Sequence, residues 1–99
     1  MKLVVREEAE QDIRAAMTWY AAQRPGLELE FLSGLNDALS FLLRWPENAQ
    51  RITRSVRSFP MERFPYSIIH GTEQDVLVII RVFHQRRNPK TRLPSRRKR

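Results

Sequence analysis

Asp75-Val-Leu-Val-Ile-Ile-Arg-Val-Phe83 is the strongest strand signal in the chain, and the fold is read outward from it. Val76, Val78, Ile79, Ile80 and Val82 are β-branched, and Phe83 closes the run. These residue types fit a pleated, buried surface. From Val76 to Val82 the only polar side chain is Arg81. A run of that kind predicts a strand buried on both faces in the middle of a sheet. His84-Gln-Arg-Arg-Asn-Pro89 follows, so the strand delivers His84, Arg86 and Arg87 to one end of the sheet.

Working back from that strand, Gly71 to Gln74 reads as a hairpin turn and Arg63 to His70 as the strand before it. Pro65 lacks an N–H, so it belongs at the start of that strand or on an unpaired edge. Phe59-Pro60-Met61-Glu62 reads as a turn. Arg51 to Phe59 alternates with little apolar content, which suits a strand near a sheet edge, where arginines also discourage edge-to-edge pairing. Glu47 to Gln50 is a loop. At the other end of the chain Lys2 to Arg6 is a short first strand.

Between these strands lie two helices. Glu7, Glu8, Glu10 and Asp12 open the first, where carboxylates meet the positive end of the helix dipole. Ala9, Ile13, Ala16, Met17 and Tyr20 make one apolar face, and Arg24-Pro25-Gly26 breaks the helix. The second runs from Leu27 to Arg44, with Leu27, Phe31, Leu35, Ala38, Leu39 and Leu42 as its stripe, widened by Leu32 and Leu43. Trp45-Pro46 ends it, because proline disfavours helical geometry at the residue before it. The order is β-α-α-β-β-β. A helical hairpin must bury its stripe on one face of the sheet, which predicts a two-layer α+β domain with a four-stranded, mostly antiparallel sheet. The expected domain is residues 1–94, with 95–99 as a basic flexible tail.

Ninety-nine residues, 41% hydrophobic and 29% charged, support one modest core. No apolar run approaches the ~20 residues needed to span a bilayer. The apolar start at Met1–Val5 is too short for a secretory signal. Cysteine is absent, which excludes disulfides and thiolate metal sites and fits a reducing cytoplasm. Two separated histidines give no metal-ligand spacing, and three scattered glycines give no phosphate loop. No cofactor is implied. The net charge of +7 is unevenly placed: residues 1–50 hold five basic and eight acidic side chains, residues 51–99 thirteen and three. The basic half predicts an anionic partner. The tail arginines carry no interleaved aromatics, which argues against a single-strand nucleic-acid binder.

Several short stretches carry a family resemblance in order and spacing. They are Ala9-Glu-Gln-Asp12-Ile13, Trp19-Tyr20, Arg24-Pro25-Gly26-Leu27, Phe31-Leu32 with Leu35, Pro46, Arg63-Phe64-Pro65-Tyr66, and Val82-Phe83-His84-Gln85-Arg86-Arg87-Asn88-Pro89. Over residues 1 to about 92 the chain resembles the RelE/ParE toxins of bacterial type II toxin–antitoxin systems, and most closely the ParE branch. The resemblance implies a RelE/ParE-like fold and a toxin neutralised by a cognate antitoxin. ParE-type members are associated with blocking DNA gyrase by binding. RelE-type members cut mRNA on the ribosome.

RNA cleavage at the 2′-hydroxyl needs a base, cations at the phosphate and an acid. Arg63, Arg81, His84 and Arg87 are the candidates if the chain is such a ribonuclease. The region after Pro89 lacks the tyrosine or second histidine that RelE-like enzymes commonly carry, so the reading without turnover is favoured. In that reading Arg57, Arg63, Arg81, His84, Arg86 and Arg87 form the target-binding set. His84 has a second reading, as a residue that closes the strand end by hydrogen bonding. Arg81 either pairs with a carboxylate or faces a target, since a lone charge among buried neighbours is costly. His70 is expected at the surface. Trp19, Leu32, Leu43 and Trp45 are expected to form an exposed apolar groove for the antitoxin.

Overall fold

The structure, a computed structural model, describes residues 1–86. Its elements are β1 (Lys2–Val5), α1 (Glu7–Gln23), α2 (Leu27–Arg44), β2 (Gln50–Arg51), β3 (Arg57–Pro60), β4 (Tyr66–Glu73) and β5 (Val76–His84). The sheet order is β1-β5-β4-β3-β2, with β1 parallel to β5 and all other pairs antiparallel. The helical hairpin covers one face, giving the expected two-layer α+β fold.

The sheet has five strands where four were expected. The stretch 51–59 does not run as one strand but folds into a small hairpin, β2 and β3. The N–H groups of Ile52 and Thr53 both donate to the Val56 carbonyl, at 2.8 and 3.1 Å, and Thr53 Oγ1 accepts the Ser55 N–H at 3.3 Å. Polar residues that satisfy their own backbone compete with the ladder, and here they win. Phe59 and Pro60, expected in a turn, close β3. β4 starts at Tyr66, three residues later than expected, because Pro65 precedes the ladder and offers only its carbonyl, to the Gln85 N–H at 2.8 Å. The tight turn lies at Gln74 and Asp75, not 71–74. Both have positive φ (48° and 67°), the geometry whose twist matches a two-residue hairpin.

The middle strand is β4, not β5. Tyr66 to His70 are all buried, whereas β5 alternates buried and half-buried residues and lies one strand from the edge. A bulge interrupts the β4–β5 ladder: Ile69 faces Arg81 and His70 faces Ile79, leaving Ile80 as the extra residue. Such a residue shifts the alternation. As a result Ile79 and Val82, three apart, both enter the helix-facing core.

That core joins Ala9, Ala16 and Tyr20 of α1 to Phe31, Leu35, Leu39 and Leu42 of α2 and to Ile68, Leu77, Ile79 and Val82 of the sheet. The stripes read from helical periodicity are the ones buried. Tyr20, Phe31, Phe64 and Tyr66 form an aromatic cluster, with ring centroids 5.0–6.2 Å apart and mostly edge-to-face. Gly26, at φ +94°, turns the chain between the helices.

Candidate functional site

The described candidate arginines, Arg57, Arg63, Arg81 and Arg86, do not gather at one place. Arg81 leaves β5 just after the bulge and meets Asp12 of α1. Its Nε donates to Asp12 Oδ2 at 2.7 Å and its Nη2 to Asp12 Oδ1 at 2.9 Å. Asp12 Oδ2 also accepts the Val82 N–H at 2.9 Å. β1 ends at Val5, paired with Ile79, so beyond that point the carboxylate takes over the ladder position of the missing strand. The Asp12 hydrogen bond raises the Arg81 pKa further. The guanidinium lies 4.4 Å from the Phe83 ring centroid. Of the two readings for Arg81, the carboxylate pair is the one observed.

Arg57, on β3, turns inward along the sheet. Its Nη1 donates to the carbonyls of Ala49 and Glu47, at 2.8 and 3.2 Å, and so fastens the loop after α2 to the sheet. Arg63, before β4, reaches α2 instead: its Nη2 donates to Glu30 Oε1 at 3.0 Å, while Arg24 approaches Glu30 Oε2 at 3.3 Å. The Arg63 hydrogen bond, with the Arg24 charge, holds the Glu30 carboxyl below the usual range. His84 closes β5. Its Nδ1 accepts the Arg86 N–H at 3.1 Å, and its ring stands edge-on to Tyr66 at 5.0 Å. Arg86 is exposed at the same end. Arg87 and the basic tail expected over 95–99 lie outside the described residues.

His70 corrects the expectation of a surface residue: it has 0% exposure. It lies directly opposite Arg57 in the β3–β4 ladder. Burial first, and the Arg57 charge second, push its pKa down to about 4. The signal was in the sequence. Tyr66 and Ile68 face the core, and strand alternation carries His70 to the same side.

The expected apolar groove of Trp19, Leu32, Leu43 and Trp45 does not form as a unit. Trp19 and Trp45 are 46% and 54% exposed, but Leu32 and Leu43 are partly buried against the core. The two leucines flank the stripe of α2 closely enough to be drawn in with it. The Trp19 ring stands edge-on to Tyr20 at 5.3 Å. An apolar groove of about 500 Å³ opens instead between α2 and the segment around β3. Gly34, Ala38 and Phe41 give its α2 wall, and Phe59, Met61 and Phe64 the other. Phe41 stacks on Phe59 at 5.5 Å. A Cβ at Gly34 would meet Met61 at 3.5 Å, an ordinary van der Waals contact, so this wall of the groove has room for a small side chain. The i, i+4, i+7 spacing of Gly34, Ala38 and Phe41 was the available sequence signal. Glu30, Asp37 and Glu62 also line this groove.

Among the described residues no group of three or more His, Cys, Asp or Glu side chains is arranged to hold a metal ion. No helix among them is long and apolar enough to cross a membrane.

Comparison with known proteins agrees with this architecture. No curated relative matches the chain. A solved structure described as the chromosomal ParDE TA system from P. aeruginosa superposes with a TM-score of 0.75, at 22% identity, over 85% of this chain and 95% of that one. The family model for the ParE toxin of the type II toxin–antitoxin system, parDE, matches residues 3–89. With nearly the whole described chain inside that match, the protein belongs to the ParE toxin family.

Proposed function

We propose that this protein is the toxin of a type II toxin–antitoxin pair, that it inhibits DNA gyrase by binding, without catalytic turnover, and that a cognate antitoxin neutralises it in the cytoplasm. The observation that carries the reading is the ParE family match over residues 3–89. The geometry supports a binding role over RNA cleavage. A ribonuclease needs its cations gathered around one phosphate. Arg63 and Arg81 are instead tied to carboxylates on different helices, and His84 spends Nδ1 on the Arg86 N–H. The end of β5, with His84 and the exposed Arg86, is the surface we assign to the target. Exposed Trp19 and Trp45, with the apolar groove beside α2, offer the antitoxin its anchors.

The test is a gyrase supercoiling assay run beside ribosome-dependent mRNA cleavage on the same purified protein. Inhibition of supercoiling without cleavage is expected. Cleavage without inhibition would overturn the reading in favour of a RelE-like ribonuclease, with Arg63, Arg81, His84 and Arg87 as its candidates.

A further inference from the structure

β3 and β4 run antiparallel with Arg57 opposite His70, so both side chains leave the sheet on the same face. His70 is fully buried, and neither of its ring nitrogens has a hydrogen-bond partner. Buried polar atoms are almost always satisfied, and two orphans on one ring call for an explanation. His70 is among the residues that line a cleft of about 230 Å³, together with Glu47, Arg54, Ser55, Arg57 and Thr72.

The chemistry of the lining is one-sided. Arg57 commits Nη1 to the Glu47 and Ala49 carbonyls, which leaves Nε and Nη2. The Arg54 guanidinium donates to nothing among the described residues; only its backbone carbonyl is used, by Arg51 at 3.4 Å. Ser55 and Thr72 add hydroxyls, and a neutral His70 adds one ring N–H. Against two guanidiniums stands one carboxylate, Glu47. The cleft is also several times the ~30 Å³ that one water takes up in the liquid. What it lacks is an acceptor with many lone pairs. A tetrahedral oxyanion supplies more acceptor oxygens than a carboxylate, and guanidinium forks suit it.

We propose that this cleft binds a phosphate group, gripped by Arg54 and Arg57 above His70. On binding, the Arg57 guanidinium turns from the Glu47 and Ala49 carbonyls towards the ligand and opens the ring N–H to it. The phosphate is either the free ion or one carried on the end of a nucleic-acid strand. This site is separate from the end of β5 assigned to the toxin's target, and stands or falls without it.

The test is NMR of the full chain with labelled histidine, at near-neutral pH, with His84→Asn used to assign the two rings. Inorganic phosphate is titrated against sodium chloride of equal ionic strength. The expected result is a saturable shift of the His70 ring signals in phosphate and none in chloride. Arg54→Ala, at an exposed position, keeps the amide spectrum of the folded chain and weakens phosphate binding about tenfold. A 5′-phosphorylated dinucleotide that binds more tightly than inorganic phosphate, while its unphosphorylated form does not bind, identifies a nucleic-acid end. Tighter binding of inorganic phosphate identifies the free ion. A His70 ring unmoved by either ligand overturns the proposal, as does an Arg54→Ala protein with undiminished affinity.

Discussion

Asp12 and Arg81, 69 residues apart, form a bidentate ion pair that seals the edge of β5 where β1 ends. The same carboxylate holds the Val82 N–H. One side chain of α1 therefore does the work of a strand.

The two partners are unequal. Removing Asp12 strands a guanidinium and a backbone donor together, whereas removing Arg81 leaves Asp12 its bond to Val82. Arg81 is 39% exposed, so solvent screens part of the pair. Asp12→Ala is expected to lower stability by about 2 kcal/mol, and Arg81→Ala by about 1 kcal/mol. Urea unfolding of the two variants and the double variant checks this. The double variant should lose less than the sum.

His70 makes stability depend on pH. In the unfolded chain its pKa is the ordinary 6.5, and in the fold about 4. Above pH 6.5 the ring is neutral in both states and the fold keeps its full stability. As pH falls from 6.5 to 4 the unfolded chain takes up the proton first, and stability drops. The loss is complete below 4 and amounts to at most about 3 kcal/mol. The His70→Leu protein lacks this proton uptake. Urea midpoints at pH 7 and pH 4 should therefore converge less for the native chain than for the variant.

Gly71 marks where the β2–β3 loop closes over β4. A Cβ there would lie 2.8 Å from the Ser55 carbonyl oxygen. Backbone atoms cannot swing aside as a side chain can. Gly71→Ala is expected to cost about 1–3 kcal/mol and to loosen residues 52–56. Thermal unfolding reads the first effect, and faster amide exchange at the Ile52 and Thr53 N–H groups the second.

For target contact, Arg86 is a cleaner probe than Arg81. Its side chain is exposed, and its backbone N–H, which binds His84, survives substitution. Arg86→Ala should leave stability within about 0.5 kcal/mol while weakening gyrase inhibition in the supercoiling assay. Equal inhibition by the variant and the native chain would remove Arg86 from the target surface.

Much of this fold is legible locally. Helical periodicity names the stripes of α1 and α2, because residues three and four apart share a face whatever they pack on. Arg24-Pro25-Gly26 and Trp45-Pro46 mark the helix ends through backbone restriction alone. The candidate site is less legible. Leu32 and Leu43 read as groove residues, but the core they border draws them in. Arg51 to Phe59 reads as a strand by alternation, but its polar side chains and backbone close a hairpin instead.

The sequence by itself determined the β-α-α-β order, the helix boundaries and the helical faces, since these follow from torsional preferences and the spacing of apolar residues along the chain. Only the tertiary structure decided that Asp12 would meet Arg81 and that Arg57 would fasten the 47–49 loop. Both depend on strand register, and the placement of Arg81 also follows the bulged residue at Ile80. Register is a long-range choice, settled by which faces are buried together.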